Sequence, residues 1–170
     1  MLVVIGCALM AACGQRAGVY AAPPQKSLDL GPDPGGLKSF ITMDEPISDD
    51  YIVRDISTDR GFRRWAFAHP ELKFRVRDAS HLKLVVELTT PAVTFNVTGP
   101  VTVSYAVNGQ TLGTLRCDHA GDHRIEKAVP DGLVEAGKEI HVTFEAAPKW
   151  VSPEDGAQLS FMLHGAGFTQ

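Results

Sequence analysis

The sequence lacks the short motifs that identify many enzymes. It contains no G-x-S-x-G nucleophile elbow, no paired Cys-His motif and no glycine-rich phosphate loop. Each of these motifs supports a particular reaction, because the elbow exposes a serine nucleophile and the loop surrounds a phosphate with backbone N–H groups. Without them, we expect the chain to have no enzymatic activity and no cofactor.

A basic surface is also missing. Lys and Arg total 16 against 20 Asp and Glu, which gives a formal net charge of -4, and the basic residues form no stripe. Proteins that bind nucleic acids usually present a basic face to the phosphates, so we expect no nucleic acid partner. Hydrophobic residues make up 44% and charged residues 21%, close to the averages for globular proteins, which excludes a chain that is disordered throughout.

The first twelve residues contain no charged side chain. They read MLVVIGCALMAA, a run too short for a membrane-spanning helix of about 20 residues but typical of the apolar part of a signal peptide. The sequence Met10-Ala11-Ala12-Cys13 at its end resembles the lipobox of bacterial lipoproteins. The resemblance implies that Cys13 is lipidated, becomes the new N-terminus and anchors an exported protein in the cell envelope. Cleavage without lipidation and an uncleaved anchor are the alternatives.

Cysteine is rare, with three residues in the whole chain. Cys7 would leave with the signal peptide and Cys13 would carry lipid, so Cys117 would have no partner for an intramolecular disulfide. The hydrophobic core must then stabilise the fold by itself. Cys117 follows residues typical of a strand, and we interpret it as a small buried apolar residue rather than a nucleophile.

Residues 13–38 differ in composition from the remainder of the chain. Four prolines and the pair Gly35-Gly36 interrupt this segment, and it has few bulky apolar side chains. Such a segment cannot bury enough surface to offset the entropy lost on ordering, so we predict a flexible tether between the lipid and a domain at residues 39–170. An N-terminal tail without a mechanical role is the alternative.

From residue 39 onward the apolar pattern has a period of two. The alternation is clearest in His81–Thr89, Val101–Val107 and Glu139–Ala146, and it is typical of antiparallel strands with one face in water. Weaker candidates are Tyr51–Ile56, Arg64–Phe67, Leu72–Val76, Val93–Val97, Thr111–Arg116, Asp122–Val129 and Leu159–His164. About ten short strands leave no room for a helical layer, so we predict an all-β antiparallel sandwich of the jelly-roll type.

The turn signals agree with this interpretation. Asn108-Gly109 between two alternating runs is a strong hairpin signal, because both central residues of a type I′ turn need a positive φ. Thr98-Gly99-Pro100 and Asp131-Gly132 indicate further reversals. Residues 130–137 are predicted to form at most one helical turn, closed by Gly137.

The order of the motifs resembles a known group of modules. The motifs are GFRRWAF at 61–67, VNGQTLG at 107–113, DHRIEKAVP at 122–130, GLVEAGKEIHVTFEA at 132–146, SPEDG at 152–156 and LSFMLHGAGF at 159–168. This series is similar to the jelly-roll, galactose-binding-like modules of bacterial carbohydrate-active and surface-polysaccharide proteins. The resemblance implies a sandwich that binds carbohydrate. Related modules often carry an Asp and an Arg before the last strand, whereas Asp155-Gly156-Ala157-Gln158 supplies no Arg here.

The segment CDHAGDHR holds the candidate metal ligands. Asp118, His119, Asp122 and His123 lie within six residues, and on a helix the four-residue spacing of the two histidines would suit zinc. Gly121 and the flanking strand patterns indicate a hairpin loop instead, where polar residues are common. A solvated turn, a metal site and a polar contact to a ligand therefore remain as interpretations.

Four other residues are candidates for ligand binding. Trp150 lies in a proline-rich, loop-like setting, where its indole could stack on a sugar ring. His141 and His164 are predicted on the outer faces of late strands, and they would form a polar platform if those strands were adjacent. Arg64, beside Arg63, could hydrogen-bond a ligand, although a solvated pair at the end of a strand is the simpler interpretation.

These observations support a noncatalytic, exported surface lipoprotein whose sandwich binds a glycan or another envelope component. The alternative is a structural or protein-interaction module of an envelope complex, which would use an exposed strand edge or sheet face. In both interpretations the protein lies in the bacterial cell envelope and is held there by a lipid anchor.

Overall fold

Eleven β-strands and two short helices make up residues 38–170, the part of the chain that this computed structural model describes. The strands are β1 (Phe40–Thr42), β2 (Ile52–Ile56), β3 (Arg64–Phe74), β4 (Lys83–Thr90), β5 (Val101–Val107), β6 (Gln110–Cys117), β7 (Gly121–Ala128), β8 (Ile140–Ala147), β9 (Trp150–Val151), β10 (Gln158–Leu159) and β11 (Phe161–Thr169). A 3₁₀ helix covers Pro46–Tyr51, and helix α1 covers Ala92–Thr98. No helix within these residues is long and apolar enough to cross a membrane.

The strands form an antiparallel sandwich in the order β6-β5-β8-β3-β11-β4-β7. Strand β3 joins the two layers, because residues 64–66 pair with β11 whereas residues 71–74 pair with β8. After β3, consecutive long strands alternate between the layers except at the β5–β6 hairpin, as in a jelly roll. The predicted all-β sandwich is therefore confirmed.

The core lies between the two layers and follows the predicted alternation. In β5, Val101, Val103, Tyr105 and Val107 point inward, and the residues between them are partly exposed. Strand β8 packs against β5 with the same pattern, so that every second residue from Ile140 to Ala146 is buried. Removal of these apolar side chains from water is the main favourable term in folding.

Several predicted elements need correction. The candidate strand Val93–Val97 is helical and lies in α1, because Pro91 caps the helix start and Gly99 ends it with a φ of 70°. The helical turn predicted at residues 130–137 is instead a series of turns outside any helix. The weaker candidates Arg64–Phe67 and Leu72–Val76 are parts of one long strand, β3.

The Asn108-Gly109 hairpin is confirmed. It joins β5 to β6, and both residues have positive φ values, 48° and 81°. The Asn108 side chain donates to the Leu133 carbonyl at 3.0 Å and accepts from the His141 backbone N–H at 2.9 Å. Asn108 therefore connects the hairpin to both β8 and the loop before it.

The two ends of the sandwich carry different features. Residues 38–40 lie beside the C-terminal end of β11, where the Phe168 N–H donates to the Ser39 carbonyl at 2.6 Å. Strand β4 starts at this end, because Lys83 is opposite Thr169, and it leads to α1 at the other end. At about 3.3 Å per residue, the length of β4 separates α1 from residue 38 by about 25 Å. The predicted signal peptide, Cys7, Cys13 and most of the predicted tether lie outside the described residues.

Candidate functional site

Phe62 is the only exposed Phe, Tyr or Trp side chain within residues 38–170, with 64% of its surface accessible. It lies in the loop before β3, where its ring centroid is 5.2 Å from that of His164 at an angle of 51°. The Arg63 guanidinium lies 5.8 Å from the centre of the same ring. Aromatic side chains usually add their large apolar area to a core or an interface, so this surface is a candidate for binding.

A hydrogen-bonded group of polar side chains lies beside the ring. The Thr89 hydroxyl donates to Asp122, and His164 Nε2 lies 2.5 Å from the same hydroxyl. Arg63 Nη2 is 3.2 Å from the Asp122 carboxylate. We call Phe62, Arg63, Thr89, Asp122 and His164 together the Phe62 patch.

Three strands and one loop position this patch. Thr89 on β4 is directly opposite Asp122 on β7 in the sheet register. His164 is the extra residue of a β-bulge in β11, because the pairing with β4 shifts between Leu163 and Gly165. A bulge redirects a side chain relative to regular alternation, and here it accompanies the contact of His164 with Thr89.

The hydrogen bonds assign the protonation of His164. Burial, followed by the positive charge of Arg63, holds the pKa of His164 below its ordinary value, and Asp122 only partly opposes this shift. The hydrogen bond from Thr89 lowers the pKa of Asp122. Because the Thr89 proton is directed to Asp122, we assign the proton of neutral His164 to Nε2, which donates to Thr89. His164 Nδ1 is then an acceptor.

A shallow cavity of about 290 Å³ adjoins the patch. It is lined by Glu87, Leu88, Asp122, His123, Arg124 and His164. Arg124 donates from Nη1 to Glu87 at 2.5 Å, so an exposed ion pair forms part of the cavity wall. The patch and cavity combine an exposed ring with fixed donors and acceptors. This combination suits a sugar. The C–H groups of a sugar ring can pack on an aromatic face, and each of its hydroxyl groups can both donate and accept a hydrogen bond.

Arg64 does not belong to this site. It is 1% exposed, and the interpretation of a solvated Arg63–Arg64 pair is wrong for this residue. Arg64 donates to the Met43 carbonyl at 3.1 Å, to the Ser48 hydroxyl at 2.8 Å and to the Asp49 carboxylate at 2.6 Å. The inward-facing register of β3 directs this side chain toward the 3₁₀ helix, where it has a structural role.

His141 lies on the outer surface of the other layer. Its Nδ1 is 2.7 Å from Glu71, and its Nε2 is 3.1 Å from Glu139. Strands β8 and β11 pair with different ends of β3, so His141 and His164 do not form the common platform that adjacency would have produced.

Trp150 is on a different element from the residues of the Phe62 patch. It belongs to the two-residue strand β9, where it pairs with Leu159 of β10, and its side chain is only partly exposed. The loop-like setting predicted for Trp150 is therefore a short β-ribbon. A ligand contact by its indole stays a prediction.

The four candidate metal ligands do not converge on one point. His119 and His123 contact each other with ring centroids 4.6 Å apart, and His123 Nε2 donates to the His119 carbonyl at 3.1 Å. Asp118 pairs with Arg116 at 2.6 Å, whereas Asp122 belongs to the Phe62 patch. Asp122 and His123 lie in β7 rather than in the predicted loop. Within residues 38–170, no group of three or more His, Cys, Asp or Glu side chains is arranged to hold a metal ion.

The structure thus brings together residues that the sequence separates by up to about 100 positions. His164 and Asp122 were predicted from the sequence as members of different sites, whereas Phe62 and Thr89 were not predicted as site residues. The neighbouring residues Phe62 and Arg63 only weakly predict a binding site, since an aromatic residue before a strand is usually part of the core. Only the strand register places Thr89 opposite Asp122.

Comparisons with known proteins give only distant similarities. No family model matches the chain. No curated protein matches it significantly. Among solved structures, it is similar to the CBM36-1 domain of a multidomain xylanase from the hindgut metagenome of Trinervitermes trinervoides, with 13% identity, a TM-score of 0.37, and coverage of 69% of this chain and 85% of that one.

A second similar structure is that of dimeric latent PorU from Porphyromonas gingivalis. The identity is again 13% and the TM-score 0.37, and the match covers 82% of this chain but 14% of PorU. At this level of similarity, neither structure indicates the function of this chain.

Proposed function

We propose that this domain is a noncatalytic module that binds a glycan through the Phe62 patch. The observation that carries the proposal is the exposed Phe62 ring, which lies against His164 beside the ion pair of Arg63 and Asp122. The ring offers an apolar face to the C–H side of a sugar. Arg63 supplies donors, while Asp122 and His164 Nδ1 supply acceptors for its hydroxyl groups.

The arrangement of Thr89 favours binding over catalysis. An activated nucleophile needs an adjacent base that removes its proton. Here Thr89 is 5% exposed and its hydroxyl donates to Asp122, while His164, in the tautomer assigned above, donates to Thr89. Thr89 therefore acts as a bridge that holds Asp122 and His164 in place.

The proposal includes export and a lipid anchor at Cys13. Residue 38 enters the domain at one end, whereas Thr89 and Asp122 lie near the opposite ends of their strands. In an anchored protein, the tether would therefore join the end of the domain opposite the Phe62 patch and would not cover the patch. The anchor is tested by growing bacteria that express the full chain with a labelled fatty acid: wild type should incorporate the label, and Cys13→Ser should not. An unlabelled wild-type chain, or a labelled Cys13→Ser variant, would contradict lipidation at Cys13.

The glycan proposal is tested by a glycan array followed by titration of the best ligand with the full chain. We expect Phe62→Ala to weaken binding about tenfold, because an aromatic contact of this kind contributes about 1–1.5 kcal/mol. Phe62→Trp should retain affinity because it preserves the aromatic face.

Val97→Ala is the matched control, since Val97 is 72% exposed and lies on α1 outside the patch. This substitution should leave the affinity unchanged. An array without any bound glycan, or equal binding by wild type and Phe62→Ala, would refute the proposal.

A protein-interaction role is the second candidate. Val93 and Val97 lie one turn apart on α1 and are 65% and 72% exposed, and the neighbouring strand β9 exposes Val151 to 56%. Three exposed valines at one end of a domain would suit an apolar contact with an envelope protein. In this case Val97→Asp should abolish co-purification of a defined partner, while Phe62→Ala should not.

A further inference from the structure

The two strands at the ends of the sheet order differ sharply in charge. Strand β7 contains Asp122, His123, Arg124, Glu126 and Lys127 among its eight residues. Strand β6 reads QTLGTLRC and contains one charged residue, Arg116. The uncharged stretch is longer than the strand, because no charged residue occurs between Glu87 and Arg116.

This difference matters because an edge strand presents unpaired backbone N–H and C=O groups. Natural proteins usually protect such an edge with charged side chains, a bulge or a covering segment. Strand β7 has the charges. Strand β6 pairs with β5 on one side, and within residues 38–170 no strand pairs with its other side.

The part of β6 that remains available is regular and well supported. Its register with β5 shifts once, between Tyr105 and Ala106, so the bulge lies at Leu112, and Gly113–Cys117 then pair without interruption. Cys117 is buried and Leu115 packs against the core, while Thr114 and Arg116 are exposed. Gly113–Cys117 therefore form a regularly paired strand edge with one charged residue, Arg116.

We propose that β6 pairs antiparallel with β6 of a second copy of this chain, so that the two sheets join into one across a twofold axis. Both copies then use the same edge, and the unpaired backbone N–H and C=O groups of each β6 strand bond to those of the other. An antiparallel pair centred near Thr114 brings the two Thr114 side chains close together and separates the two Arg116 side chains, so no like charges meet.

The dimer would carry two Phe62 patches, and no residue of the patch belongs to β6. Two patches on one dimer would bind a repetitive glycan with greater avidity than one, without any new contact to the sugar.

Analytical ultracentrifugation of the full chain tests the dimer. The protein carries Cys13→Ser and is kept under reducing conditions, so that neither lipid nor a disulfide contributes to association. We expect a dimer whose fraction rises between micromolar and millimolar chain concentrations. Thr114→Lys and Thr114→Glu should each raise the dissociation constant at least tenfold, because two like charges then meet at the centre.

An equal mixture of the Thr114→Lys and Thr114→Glu variants is the decisive experiment. Opposite charges at the centre should restore a heterodimer with an affinity near that of wild type. Lys127→Glu on the β7 edge is the matched control and should associate like wild type. A chain that stays monomeric up to the millimolar range, or variants that dimerise unchanged, would overturn the proposal. Circular dichroism of each variant checks that the fold is retained.

Discussion

Arg64 and Phe62 lie two positions apart and have opposite roles. Arg64 is a fully buried cation with three acceptors, whereas Phe62 is an apolar ring in water beside polar groups. Burial of a charge without partners is very costly, so the three hydrogen bonds are what permits Arg64 to lie inside the domain. Exposure of the Phe62 ring gains no burial of apolar surface for the fold, so a role in binding would account for its position.

At the scale of residues, we expect Arg64→Met to lower the free energy of unfolding by about 2–4 kcal/mol. The methionine fills much of the volume but removes the donor to the buried Ser48 hydroxyl and leaves the Met43 carbonyl with only the 3.3 Å hydrogen bond from Ser48. Urea denaturation measures this change. The control is Arg60→Met, which removes the other, 63% exposed partner of Asp49 and should cost less than about 1 kcal/mol. Equal losses would show that burial of Arg64 is not decisive.

At the scale of elements, the attachment of β1 to β11 depends on a close backbone approach. Gly167 has a φ of 149°, and a Cβ at this position would lie 2.2 Å from the Ser39 carbonyl oxygen and 2.5 Å from Phe40 Cα. No side chain fits there unless the strands separate. Gly167 is thus required by the pairing of Phe40 with β11.

We expect Gly167→Ala to detach β1, with a loss of about 1–3 kcal/mol in stability. Hydrogen exchange should increase at residues 40–42 before it increases in the rest of the sheet. Gly132→Ala is the matched control, because Gly132 also has a positive φ, 80°, but no atom lies within 4 Å of its added Cβ. It should show backbone strain alone, and unchanged protection of β1 in Gly167→Ala would contradict the role assigned to Gly167.

At the scale of the whole molecule, the ionisable groups predict how stability varies with pH. Hydrogen bonds from Arg64 and then Arg60 lower the pKa of Asp49, and the hydrogen bond from Lys38 lowers the pKa of Glu45. A carboxyl whose pKa is lower in the folded state stabilises above its unfolded value, near 4, and loses this contribution as pH falls through the folded value. The lowered pKa of His164 reduces stability at a higher pH than the carboxyl groups do. As pH falls through about 6.5, the unfolded chain gains a proton at this histidine before the folded chain does.

We therefore expect the melting temperature to be nearly constant above pH 7, to fall slightly toward pH 5.5 and to fall steeply below pH 4.5. Differential scanning calorimetry across this range measures the profile. Asp49→Asn should start from a lower melting temperature and lose less of it between pH 5 and pH 3, because the ion pair is already gone. Parallel profiles for the two proteins would exclude Asp49 as a contributor to acid sensitivity.

The sequence alone determined the class of the fold and much of its layout. Period-two alternation in β4, β5 and β8 and the Asn108-Gly109 turn are local signals, since alternation and positive φ depend on residues next to each other in the chain. The prediction was wrong where a local signal was ambiguous, as at Val93–Val97, whose apolar spacing also fits one face of a helix. The lipobox-like Cys13 rests on sequence and stays a prediction.

Only the tertiary structure decided which side chains meet. The Phe62 patch joins a loop, β4, β7 and β11, and its geometry depends on strand register and on the bulge at His164. A shift of one residue in register would reverse the face of every side chain, so no local pattern could locate the patch. The same reason explains Arg64. A charged residue is usually expected in solvent, whereas the inward position of Arg64 in β3 places it against the buried Met43 and Ser48 and the exposed Asp49 carboxylate.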